Sequence, residues 1–355
     1  MKKFKAIAAV FAAAALAMGT VTASTAAGKT LTIGSVSPLV SYAADQGEFG
    51  NRAWFYQAVY DTLLKLKEDG SLLPGLATKW TYNSAQTVLT LELRSGVKFT
   101  DGTAVDAAAV VANLKANRDS KGPTANYLAA MKTAVAKDAD TVVITLSATD
   151  PAFLNYLANT AGMIASPKTI GKASSATTPV GSGPYILDKT KTVSGSKYTY
   201  KANPNYWDAA NRKYDALVIK IYVDQTAAYN AVKSGAVQGV NIADPSKANS
   251  LKTAGFKIAS SYLDAKGIYF SDRAGAHKSC IAKKEVRQAI NMAFDRAAMR
   301  KSLEGGAGQV TSQYFPSNSA GYDKALDALY PYDITKAKAL MVKAGYADGC
   351  TITMP

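Results

Sequence analysis

Apolar and polar residues alternate along several short stretches of the chain and recur at helical spacing along others. In LELRSGVKFTDG, residues 91–102, Leu91, Leu93, Val97 and Phe99 are apolar at alternate positions, Ser95-Gly96 interrupts the run and Asp101-Gly102 ends it. That pattern predicts a hairpin. Strand-like runs at 29–36, 140–147, 215–223 and 256–263 predict further strands, and Thr351 to Met354 begin to alternate once more. Between them lie helical segments. Residues 52–66 carry Trp54, Ala58, Leu63 and Leu64, and Asp106 is a good N-cap for a helix over 107–117. A short helix is predicted at 151–158, and two more at 225–235 and 244–255, closed by Gly235 and Gly255. The clearest helix covers 284–303, where Val286, Ala289, Ile290, Ala293, Phe294 and Ala297 form one apolar face and Arg287, Asp295 and Arg296 lie opposite. Residues 332–346 repeat the logic, capped by Asp333 and stopped by Gly345. The alternation of strands and helices predicts an α/β fold.

The N-terminus follows other rules. Lys2, Lys3 and Lys5 precede an Ala-rich apolar run from Ala6 to Met18, too short to span a bilayer, and small residues follow it. Residues 1–27 therefore read as a cleaved signal peptide and predict a periplasmic or otherwise exported protein. No later run is long and apolar enough for a membrane helix. At 355 residues and 48% hydrophobic content the chain has enough apolar material for one large or two ordinary domains. The net charge is +15, of which 3 lie in the leader, leaving +12. These charges are spread rather than clustered, which reads as a solvated basic surface with no nucleic-acid partner. A basic module for nucleic acid or anionic surfaces stays as a lower-ranked alternative, marked by a steep loss of binding with salt.

Catalytic machinery is hard to find. His277 is the single histidine and lies in a polar loop near Cys280, where nothing in the local spacing orients a Cys-His pair. One His and two distant Cys do not make a zinc site, and no metal or cofactor is implied. Cys280 and Cys350 are a candidate disulfide in an oxidising compartment, with two separate buried thiols as the alternative. GSGP at 181–184 leads into the strand-like Tyr185-Ile186-Leu187, which favours a tight turn over a phosphate cradle. A secreted hydrolase with an unrecognised carboxylate pair stays open, since such a pair is not visible without a fold.

Six blocks carry a resemblance. LPGLATKW (73–80), LRSGVKFTDGTAVDAAAVV (93–111), PVGSGPYIL (179–187), ANPNYW (202–207), VRQAINMAFDR (286–296) and AKALMVKAGYADG (337–349) stand in one order along the chain. In these the sequence resembles the extracellular solute-binding proteins of family 5, the peptide/nickel-type binding components of ABC importers. The resemblance implies a two-lobed, type II-like periplasmic-binding-protein clamp with an extra scaffold subdomain in the first lobe. Residues 28–60 and 176–261 would form lobe I, 61–175 the scaffold subdomain, and 262–355 lobe II. It implies a binder and not an enzyme: a monomer that captures a peptide or similar small solute by hinge closure and delivers it to the inner-membrane ABC permease.

Aromatic residues of both lobes would cover the ligand, with Tyr42, Phe49, Tyr262, Tyr269 and Phe270 as candidates and ordinary core packing as the alternative for each. Ser271, where the family often has Asn, would alter the pocket. Ala109 replaces an acidic residue, and Asp106 a Thr, in what reads as scaffold. Arg94 and Lys98 would be surface or structural cations. In the family the strand begun at 351–354 belongs to lobe II and the chain continues. The resemblance therefore implies a C-terminal truncation, an incomplete lobe II, a single hinge strand near 262–271, and uncovered apolar faces that include Ile290 and Phe294. A non-functional fragment is then a further alternative.

Overall fold

The structure, a computed structural model, describes residues 28–259, 266–277, 279–315, 317 and 321–352. In chain order the elements are β1 (Thr30–Ser35), α1 (Ala53–Val59), β2 (Leu64–Leu66), β3 (Leu72–Pro74), β4 (Ala77–Tyr82), β5 (Val88–Leu93), α2 (Ala107–Asp119) and α3 (Thr124–Tyr127). Then follow β6 (Met131–Ala136), β7 (Thr141–Leu146), α4 (Phe153–Leu157), β8 (Tyr185–Leu187), β9 (Lys197–Ala202), β10 (Ala216–Ile221), α5 (Gln225–Lys233), β11 (Gly239–Val240) and α6 (Pro245–Thr253). The remaining helices are α7 (Lys284–Ala293), α8 (Arg296–Leu303) and α9 (Ile334–Lys343).

Two sheets organise the first 230 or so described residues, a span read from the residue numbers. One has the order β11-β1-β10-β9-β8, with β1 parallel to both β10 and β11 and the other pairings antiparallel. The other is the antiparallel sheet β4-β5-β7-β6. Along β5 and β7, Leu89, Leu91, Val142 and Ile144 point to one side and are fully buried against Val110 and Leu114 of α2. A second core joins α1 to the mixed sheet through Phe55, Tyr56, Tyr198, Tyr200 and Ile219. The small pair α7–α9 has its own cluster of Ala289, Met292 and Ala337.

Caps are where local chemistry wrote the boundaries. Asp106, Asp224, Asp244 and Asp333 each accept a backbone N–H from the first turn of their helix, satisfying a donor that has no partner inside it. Gly235, Gly255 and Gly345 follow helix ends at φ of 75°, 89° and 83°, the left-handed region that suits a residue without a Cβ.

Four expectations need correction. The helix expected over 52–66 stops at Val59, because Tyr60 turns extended and the chain runs on into β2. Its apolar run is buried on both sides of the break, so helical spacing carried no stop signal. The hairpin expected over 91–102 is two structures. β5 ends at Leu93 and pairs with β4 and β7, while Val97 and Phe99 enter the core from a separate loop whose Val97 carbonyl accepts from Val105 N–H. The helix expected over 284–303 breaks at Phe294, which is extended, and Asp295 caps a new helix by accepting from Ala298 N–H at 2.9 Å. Residues 256–259 and 351–352 form no strand, and the rest of both expected strands lies outside the described residues.

Candidate functional site

β10, β1 and β11 run parallel with Ser35 opposite Ile221 and Gly34 opposite Val240, so their carboxyl ends meet at one edge. In open α/β sheets that edge, where the chain turns from one side to the other, is where ligands bind. The sequence is built to bring it together. A Cβ on Gly34 would lie 3.0 Å from the Tyr222 ring and 3.1 Å from Val240, so glycine lets the neighbouring strands' side chains close in. Buried Ser35 accepts Tyr222 N–H through its carbonyl, and its hydroxyl donates to Ser37 O at 2.9 Å.

A rim of polar groups follows. Val36 N–H donates to Asn241 Oδ1 at 3.4 Å, and Asn241 Nδ2 donates to Asn51 Oδ1 at 3.5 Å. Arg52 Nε donates to Pro38 O at 2.8 Å while its guanidinium pairs with Glu48, four residues earlier in the chain. Val40 and Val223, which follow Pro38 and Tyr222 closely in the chain, are each 77% exposed, and Phe49 stacks on Tyr56 with ring centroids 6.3 Å apart. The rim thus offers amides, a guanidinium already half engaged, and apolar surface. Such groups can meet a solute by hydrogen bonds and by apolar contact. Among the described residues no three His, Cys, Asp or Glu side chains are grouped to hold a metal ion.

Asp61 is the carboxylate that burial disturbs most visibly. It is 4% exposed, and Ser182 Oγ, Trp207 Nε1 and Tyr206 OH donate to it at 2.8, 3.0 and 3.3 Å. Burial raises its pKa, and those hydrogen bonds only partly offset the rise. Gly181 and Gly183 let the GSGP turn pass against α1. A Cβ on Gly181 would fall 2.0 Å from Val59 O. Arg94 covers the same cluster, its guanidinium carbon 4.1 Å from the Trp207 ring centre. With both oxygens engaged by donors of the scaffold, Asp61 serves as a structural acceptor.

The candidate ligand residues do not converge. Tyr42 is 1% exposed, shares a hydrogen bond with the Tyr200 hydroxyl and lies within the α1 core, so its ring packs the fold instead of covering a ligand. Phe49 is half-buried at the rim. Tyr269 is 86% exposed, Ser271 is exposed and Phe270 is half-buried, and all three stand on irregular chain. Tyr262 lies outside the described residues. His277 is exposed, its backbone N–H held by Asp272 Oδ2 at 3.1 Å. Cys280 and Cys350 are joined by a disulfide that ties the entry of α7 to the chain beyond α9. In the chain-entropy picture a loop of 70 residues closed this way gains about 4 kcal/mol. Asn51, Arg52 and Asn241 escaped the sequence reading because the pairing of β1 with β11, which unites them, leaves no local signal.

Comparison with solved structures defines the class. The agropinic acid complex of the periplasmic binding protein AgaA from A. tumefaciens superposes at a TM-score of 0.75 and 26% identity, over 90% of this chain and 65% of that one. The fold is that of a periplasmic binding protein. Residues 71–354 match the family model of bacterial extracellular solute-binding proteins, family 5 Middle, and the chain belongs to that family. Heme-binding protein A of Haemophilus influenzae is 32% identical over 329 residues, covering 82% of this chain and 57% of the relative. Di/tripeptide-binding protein 1 of Pseudomonas aeruginosa is 29% identical over 335 residues, covering 84% and 60%. The chain therefore spans somewhat more than half the length of these curated relatives.

Proposed function

We propose that this chain is the exported substrate-binding component of an ABC importer, which takes up a peptide or similar small solute at the carboxyl edge of β10, β1 and β11 and hands it to the membrane permease. The family match over residues 71–354 carries the reading. The ligands named for relatives, heme and di- or tripeptides among them, set the range of solutes to try. The division into lobe I at 28–60 and 176–261, a scaffold at 61–175 and lobe II at 262–355 is part of the proposal. Its support is that every strand of the mixed sheet falls in the first pair of ranges and every strand of the β4-β5-β7-β6 sheet in the second. A cleaved leader over 1–27 and a monomeric state complete it.

The test is native mass spectrometry of material that copurifies with the protein, followed by calorimetric titration of that solute into wild type, Arg52→Ala and Asn241→Ala. One solute per chain, bound about tenfold more weakly by each variant, is the expected outcome, tenfold being about 1.4 kcal/mol. Cleavage of the solute, or binding that ignores both substitutions, overturns the reading.

A further inference from the structure

Away from the rim, the one-turn helix at Ala44–Gln46, the carboxyl end of α2 and the chain from 165 to 175 line a partly open cavity of about 150 Å³. A void of that size holds a molecule of roughly six heavy atoms, or about five waters. Asp45, Tyr60, Asn113, Ala116, Asn117 and Ile170 are among its walls, whereas Asn51, Arg52 and Asn241 of the rim are not.

Two asparagines one helical turn apart behave differently. Asn113 is spent on the fold: its Nδ2 donates to Ala109 O at 2.9 Å and Ala165 O at 2.8 Å, and its Oδ1 accepts Ala165 N–H at 2.9 Å. Asn117 is 2% exposed, and its side-chain nitrogen is buried with no hydrogen-bond partner. A buried donor left unpaired costs about 1–3 kcal/mol, and native folds seldom carry that cost without a use.

Charge then narrows the occupant. Among the described residues no Lys, Arg or His lines the cavity, and Asp45 is its one carboxylate. Asp45 Oδ2 accepts from a neutral amide, Gln46 Nε2, at 2.8 Å. Asn113, Ala116, Asn117 and Ser120 bring the last turns of the 13-residue helix α2, the negative end of its dipole, against the same space. Tyr60 is held protonated by burial, with its hydroxyl donating to Tyr42 O at 2.9 Å, so it adds a ring and no charge. Ala44, Ala116 and Ile170 supply room for a short hydrocarbon link. We propose that this cavity is a second binding site, for a compact amino alcohol or like molecule whose ammonium is held by Asp45 and the end of α2 and whose oxygen accepts from Asn117.

The experiment uses the whole protein and three probes of one size: ethanolamine, neutral ethylene glycol and anionic glycolate, at fixed ionic strength. Saturable stabilisation in thermal melts by ethanolamine alone is expected. Asp45→Asn and Asn117→Ala should each weaken it about tenfold or more, the loss of one hydrogen bond to a charged or buried group. Ala116→Leu, which fills the space without removing a polar group, should abolish it, and Arg52→Ala should leave it unchanged. A flat response to ethanolamine, or equal responses to all three probes, overturns the proposal. So does binding lost in Arg52→Ala but kept in Asn117→Ala, which would move the molecule to the rim.

Discussion

Residues 28–259 and residues 266–352 are held together in different ways. The first region has two large cores, in which Leu89, Leu91, Phe55, Phe153 and Tyr200 are fully buried. The second has a core cluster of Ala289, Met292 and Ala337, one disulfide and a set of helix caps. Large side chains stand open around that small cluster: Leu303 is 66% exposed and Tyr314 is 77% exposed. Ile290 is half-buried, and Phe294, at the break between α7 and α8, is 36% exposed. The difference teaches that a clean amphipathic pattern is not evidence of a large core. α2, with Asn113 and Asn117 among its buried positions, lies on a sheet face, whereas α7, whose apolar positions are the more cleanly spaced, packs chiefly on α9.

The comparison can be broken by experiment, because Trp54, Trp80 and Trp207 all lie in the first region and report on it alone. Phe153→Ala should cost about 3–5 kcal/mol and lower the urea midpoint seen by tryptophan fluorescence. Reducing the Cys280–Cys350 bridge should cost about 2–4 kcal/mol, felt as faster hydrogen exchange in α7 and α9 with β5 and β10 unmoved. Met292→Ala should cost about 2 kcal/mol in the same helices. If either change shifts the tryptophan transition as far as Phe153→Ala does, the two regions melt as one unit and the contrast fails.

A pH series sharpens the first region further. The folded-state pKa of Asp61 lies above the ordinary value of 3.8, so the folded protein holds a proton that the unfolded chain gives up more readily. Stability from this group is then highest below pH 3.8 and declines as pH rises through the folded value. Wild type should therefore lose stability relative to Asp61→Asn on moving from acid toward neutrality. A difference between the two that stays constant with pH would show that Asp61 titrates normally. The smallest effect belongs to the caps: Asp106→Ala and Asp333→Ala should each cost about 1 kcal/mol, the first read by tryptophan and the second only by exchange in α9.

Much of this architecture was legible in the chain. β1, β7, β10, α2, α5, α6 and α9 fall where alternation, aspartate caps and closing glycines place them, because those signals act over a few residues. Legibility failed where burial was two-sided or where contact was distant. The apolar run through Tyr60 offered no period by which to see α1 end, and Val97 and Phe99 are core residues without being strand residues. The site was harder still. Tyr42 has the composition of a ligand contact and the position of a core residue, which only the Tyr200 pairing reveals. Asn51 and Asn241 meet across 190 positions of sequence, and neither stands in a motif.

The placement of β1 also sets a timetable. Its first neighbour in the sheet, β10, lies 186 residues downstream, where Thr30 faces Ala216. At synthesis rates of about 5–20 residues per second, β1 waits some 10–40 s before its partner exists. The β4-β5-β7-β6 sheet, encoded wholly within that interval, is free to assemble first. The mixed sheet, and with it the polar rim, cannot be completed before residue 240 has been made.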